Sequence, residues 1–251
     1  MAESYLTLVN KVLTHLNEVE LTSSTFSTAR GVQTQAKNAV NEAIRYINQR
    51  EFNYPFNHAT QTETLVAGTV RYSLPASTKT VDYNTFRIVK DEDLGVSGGR
   101  LNQIDYNEYI NTYITQEDEI VTTTLNGSHS DSVTTLTLTS TTGFDTAGTA
   151  HIGNEVVSYT GILGNDLTGV TRGAQSTTAS AHASGVQVAQ FEEGGVPIFV
   201  SRTLDNNYLL YPFPDKQYSI KFDYFTFPSD LSAHSDTTTI PDRFAPVIVD
   251  G

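Results

Sequence analysis

The chain has 251 residues, a formal net charge of -13 from 28 acidic and 15 basic residues, and no Cys. That length can bury a core without disulfides or metals, and the missing Cys excludes disulfide scaffolds, thiolate nucleophiles and Cys-ligated zinc. An acidic balance repels a phosphate backbone, so gripping DNA or RNA is disfavoured, while a passage through which DNA slides remains compatible. No apolar run nears the roughly 20 residues of a bilayer span. The start, Met1 to Leu8, lacks the basic and apolar regions of a secretory signal. A soluble product made in the cytoplasm, with no membrane partner, is expected.

Two helices open the chain. Tyr5, Leu8, Val9, Val12, Leu13 and Leu16 recur at three- and four-residue steps, the apolar stripe of a surface helix. Ser27 or Thr28 can cap a second helix whose stripe is Val32, Ala36, Ala39, Val40, Ala43, Ile44 and Ile47. Gln33, Lys37, Asn41 and Arg45 then face away. Small Ala residues permit close approach, so an antiparallel pair is expected, still needing a third helix, a sheet or a neighbour to cover it.

After Phe52-Asn53-Tyr54-Pro55-Phe56 the period changes to strands. Residues 62–66 and 70–74 flank Ala67-Gly68 as a hairpin, and 85–90 forms another strand. A short helix fits 104–115. Residues 198–204, 208–211 and 217–226, separated by turn-forming residues, read as a three-stranded antiparallel meander. Its last strand puts Tyr218, Ile220, Phe222 and Tyr224 on one face.

Residues 120–190 differ in composition from everything around them. Of these 71 residues, 24 are Ser or Thr, Arg172 is the single Lys or Arg, and Phe144 and Tyr159 are the aromatics. Leu136 and Leu138 alternate with Thr, 152–159 reads as one strand, and Gly-rich turns recur. A small inserted β-barrel or sandwich is expected, short of large apolar residues and leaning on its host. Insertion into a loop is tolerated because it cuts no core. The expected organisation is therefore a frame, 1–119 and 191–251, carrying an inserted β-rich domain, 120–190. The class is α+β: an N-terminal helical bundle completed by a C-terminal helix, an antiparallel β domain and the all-β insert. That C-terminal helix starts at Ile240-Pro241-Asp242-Arg243-Phe244 and stops within two turns at Gly251, so the natural gene is expected to continue.

No residue pattern specifies catalysis, a cofactor or a metal. His15, His58, His129, His151, His182 and His234 are scattered, with no HxH or HExxH spacing. His182 is expected to bond a turn backbone. Glu155 has no second carboxylate in sequence reach to act as a glycosidase pair. Asp91-Glu92-Asp93 and Glu117-Asp118-Glu119 lack the alternating ligands and Gly of a calcium loop and read as solvated faces. Gly98-Gly99 is a turn, not part of a phosphate-binding motif. Tyr208, Tyr211, Phe213, Phe222, Tyr224, Phe225 and Phe227 could stack on bases or sugars, but interleaved Arg and Lys are few, so packing is the expected role.

The opening YLTLVNKVLTHLNEVELTSSTFSTARGVQTQAKNAVNEAIRYINQREFNYPF resembles the start of phage tail tubular protein A, the head-to-tail adaptor (connector) family. YLLYPFPDKQYSIKFDYFTFPSDL and IPDRFAPVIVDG are similar to that family's closing strands and C-terminal helix entry. IGNEVVSYTG, LTGVTRG and TTASAHASG resemble a small β module of phage virion proteins. The resemblance implies a non-enzymatic subunit of the head–tail junction. It would assemble with itself into a ring, usually a dodecamer, between the portal protein and the tail nozzle or tail tube protein. DNA would pass through without specific binding. Residues 120–190, an addition that simpler adaptors lack, are expected to project outward and dock a tail fibre or decorate the neck. The alternative is a peripheral tail protein that binds a receptor or glycan through the insert.

Overall fold

The computed structural model of the chain describes residues 3–50, 53–93 and 95–250. Phe52, where the helical period is expected to end, and the terminal Gly251 lie outside the described residues. In chain order the elements are α1 (Tyr5–His15), α2 (Val32–Arg50), β1 (His58–Thr64), β2 (Arg71–Ser73), β3 (Thr78–Ile88), β4 (Gly99–Arg100), β5 (Asn102–Ile104) and α3 (Tyr106–Thr112). Then come β6 (Val121–Thr124), β7 (Thr135–Thr137), β8 (Gly148–Ile152), β9 (Glu155–Tyr159), β10 (Gly161–Leu163), β11 (Asp166–Thr168), β12 (Thr171–Ala174) and β13 (Gln187–Gln190). β14 (Phe199–Arg202), β15 (Asn207–Tyr211), β16 (Ser219–Thr226) and α4 (Ala245–Asp250) complete it. The class is α+β. By backbone proximity the chain forms two compact units, Met1–Thr60 with Pro75–Val81 and Asp223–Gly251, and Gln61–Leu74 with Asp82–Phe222.

The helical unit is built on the two expected stripes. Ser4 caps α1 by accepting from the Thr7 N–H, and Tyr5, Leu8, Val9 and Leu13 are buried. On α2 the buried positions are Ala36, Val40, Ile44 and Asn48. The third partner is α4, whose Ala245 and Ile248 enter the same core as Phe26 and Leu231. Two details differ from expectation. Ser27 and Thr28 belong to a separate 3-10 turn, Phe26–Thr28, and α2 begins only after Gly31. Asn41 is turned inward: its amide donates to the Tyr5 hydroxyl and the Leu231 carbonyl and accepts from the Leu231 N–H. A polar residue beside a helix stripe faces inward when a chain segment with unpaired backbone groups lies against it.

Along β16 the alternation is as expected, with Ile220, Phe222 and Tyr224 buried. Its partners are not. β14 and β15 pair antiparallel, from Phe199↔Tyr211 to Arg202↔Tyr208, in a sheet ordered β2-β15-β14-β5. β16 instead belongs to the sheet ordered β1-β16-β3-β4, so the meander reduces to a hairpin. The expected 62–66/70–74 hairpin also separates, because β1 and β2 lie in these two different sheets. A turn does form there, with Thr69 N–H donating to Val66, but Gly68 donates to the Pro214 carbonyl and β2 pairs with β15. Period and turn chemistry locate strands; they do not choose the partner.

Residues 121–190 make two sheets, ordered β12-β9-β8-β13-β6 and β10-β11-β7, and no barrel. The single strand expected at 152–159 is the tight hairpin of β8 and β9, turned at Gly153 (φ +62) and Asn154. Leu125, Leu136, Leu138, Ile152, Val157, Tyr159 and Leu167 share one buried cluster between the sheets. This stretch thus encloses more of a core than its Thr-rich composition suggests, because nearly every large apolar side chain in it points inward. It also packs on the rest of its unit. Ala189 joins a cluster with Ala67, Tyr109 and Phe213, and the Gln187 amide donates to the Ala67 carbonyl and the Thr69 hydroxyl.

Candidate functional site

The helical unit carries an open apolar groove of about 890 Å³. Ala39, Ala43 and Tyr46 from α2 and Val247 from α4 line it, with Tyr54 and Phe244. Small Ala residues leave the space, and large apolar residues stand around it: Tyr46 is 56% exposed, Val247 54% and Phe244 37%. Singly exposed apolar residues are ordinary, but a contiguous set lining a groove marks an interaction surface. Arg50 reaches back over the Tyr46 ring at 4.6 Å, so the groove's charged edge is already ordered.

The second unit has a concave surface of about 1100 Å³ with a different character. Glu119, Asp145, Glu192, Glu193 and Asp215 border it, and no Lys or Arg does. His151 lies in its wall, stacked on Phe191 at 4.1 Å with Nδ1 3.0 Å from the Asp215 carbonyl. Burial lowers the pKa of His151, so the ring adds little positive charge there. The surface repels anions.

The densest polar cluster is one that sequence spacing did not nominate. Glu155 opens β9 with its carboxylate 0% exposed. Arg172 of β12 grips it twice, Nε to Oε1 at 2.8 Å and Nη2 to Oε2 at 2.7 Å. The Gly173 N–H donates to Oε1 at 3.0 Å, and the Ser180 N–H and His182 Nε2 donate to Oε2 at 3.1 and 2.8 Å. Burial pushes the carboxyl pKa up, but these donors together outweigh it and hold it at about 2. The expected partner of His182 was a turn backbone; its ring bonds a buried carboxylate instead, while its backbone pairs with His129. The available signal was compositional, since Arg172 is the single basic residue in a stretch that contains one strand-borne Glu. Five donors on an inaccessible carboxylate leave no lone pair for a substrate, so the cluster fastens loops.

The remaining histidines and acidic runs are dispersed. His15 ends α1 and lies 3.2 Å from Asp250; His58 lies 3.7 Å from Asp223; His234 meets Phe26 edge-on. The Asp91 carboxylate accepts from the Asp93 N–H, and Glu92 pairs with Lys90. Glu117, Asp118 and Glu119 are exposed. Gly98 (φ +73) makes a turn into β4. Among the described residues no three His, Asp or Glu side chains gather at metal-binding range. Tyr208, Phe213, Phe222 and Tyr224 are buried, with Phe222 stacked on Phe86 at 4.3 Å, so these rings pack the interior and offer no platform.

Among the surfaces the described residues present outward are an apolar groove and an acidic concavity, the equipment of a protein that meets other macromolecules. The family comparison agrees: residues 4–128 match the family described as SU10 adaptor protein, which supports a phage head-to-tail adaptor-type protein. The match covers just under half of the chain and points to a structural phage adaptor component. No curated protein matches the chain. No helix among the described residues is long and apolar enough to cross a membrane.

Proposed function

We propose that this chain is a ring-forming neck subunit, dodecameric, that links the portal protein to the tail nozzle or tail tube protein and extends the DNA channel. The observation that carries this reading is the apolar groove on the helical unit, left uncovered within the chain. A groove unlike the surfaces around it favours heterologous contacts, and such contacts close into rings when the rotation allows. Acidic residues facing the bore let DNA slide without sticking, and the concavity bordered by five carboxylates is the best candidate lining. Residues 1–119 and 191–251 act as the frame, and 120–190 as an inserted domain that docks tail fibres. The buried cluster formed within the latter supports that division. Glycan recognition by the insert loses its support, since Phe144 and Tyr159 are both buried.

Native mass spectrometry and electron microscopy of the full-length gene product test the proposal. Closed rings at the vertex between capsid and tail are the expected result. A monomer at high micromolar concentration, or a ring whose bore is neutral or basic, overturns the corresponding part.

A further inference from the structure

His129 lies in the loop 126–134, between β6 and β7, and its ring is held at both nitrogens. The Thr137 N–H donates to Nε2 at 3.0 Å, and Nδ1 lies 3.1 Å from the Gly127 carbonyl. A ring nitrogen that accepts from an amide carries no proton, so in the neutral ring the proton sits on Nδ1 and donates to Gly127. The same loop is tied to loop 175–186. His129 and His182 exchange backbone hydrogen bonds of 2.9 Å each way, and Gly127 N–H donates to the Ser184 hydroxyl at 3.1 Å. Arg172, already neutralised by Glu155, also donates to the Ser130 and Ser180 carbonyls, joining both loops at one guanidinium.

We propose that His129 is an acid-sensitive latch on this end of the 121–190 module: its neutral ring fastens loop 126–134 to β7, and protonation releases it. The imidazolium has a hydrogen on Nε2, which would face the Thr137 N–H donor to donor, and the bond cannot survive. Histidine is the side chain that ordinarily changes charge between pH 5 and 8. The ionisable groups on the elements joined to this loop are Asp131 on the loop itself, His182 on the paired loop, Arg172 with its partner Glu155, and Asp166, the register partner of Thr137 on β11. Breaking this bond leaves the Glu155 anchor intact, so the change is local to the loop.

The test uses the full chain labelled with nitrogen-15. At pH 8 the ring signals of His129 should show a protonated Nδ1 and an unprotonated Nε2. Between pH 8 and pH 5, exchange protection of the Thr137 amide, corrected for intrinsic rates, should fall about fivefold, the worth of one neutral hydrogen bond. The Leu138 amide, bonded to the Asn165 carbonyl at 2.8 Å, should keep its protection. In His129→Asn the Thr137 protection should become the same at both pH values. A ring protonated on Nε2 at pH 8, unchanged Thr137 protection at pH 5, or an acid-dependent loss that persists in His129→Asn each overturns the latch.

Discussion

Replacing Glu155 by Gln removes the charge from a side chain that is 0% exposed and leaves the Arg172 guanidinium, 6% exposed, without its counter-ion. The amide also turns one acceptor into a donor facing donors, since Oε1 and Oε2 between them receive five N–H groups. Breaking one side of a buried ion pair costs about 3–5 kcal/mol, largely from the uncompensated charge. Linkage gives a similar figure. A carboxyl moved from 4.5 to about 2 contributes on the order of 3 kcal/mol at neutral pH. Because the folded pKa is the lower one, this stability is fully present above the unfolded value and is lost as pH falls through about 2. Urea unfolding followed by circular dichroism, suited to a chain without Trp, should show a midpoint lower by about 1–2 M for the transition that melts β8 and β9. The Gln variant should also flatten the acid limb of stability between about pH 4.5 and pH 2. A cost below about 1 kcal/mol, or an unchanged acid limb, would refute the idea that this carboxylate anchors the loops.

Other consequences can be measured on the same protein. Phe86→Ala empties a fully buried position stacked on Phe222 and should cost about 3–5 kcal/mol in urea unfolding; a loss under 1 kcal/mol would mean the site collapses freely. Gly68→Ala would place a Cβ 2.7 Å from the Ala189 Cβ at a φ of +72, so a destabilisation of about 1–3 kcal/mol is expected, and a stabilised variant would contradict the turn geometry. Tyr46→Asp in the apolar groove should change monomer stability by no more than about 0.5 kcal/mol yet abolish incorporation into particles; fully assembled mutant virions would show that the groove is not a contact surface.

The amphipathic periods of α1, α2 and β16 were legible from residue order alone, because helix and strand geometry fix which side chains share a face. So was the compositional break at 120, since a run of Thr with little charge needs no partner to be noticed. Sheet membership was not legible. β14, β15 and β16 follow one another with turn-forming residues between them, yet β16 pairs elsewhere, because sheet partners depend on which surfaces need covering across the whole unit. The same holds for polar residues. Asn41 looked like a solvent-facing position until the Leu231 backbone was placed against it, and Glu155 looked solitary until β12 brought Arg172 and the following loop brought His182. Periodicity is a local property of the chain; the pairing of buried charges, and of strands, is settled by chain segments far apart in sequence, and tertiary packing alone decides it.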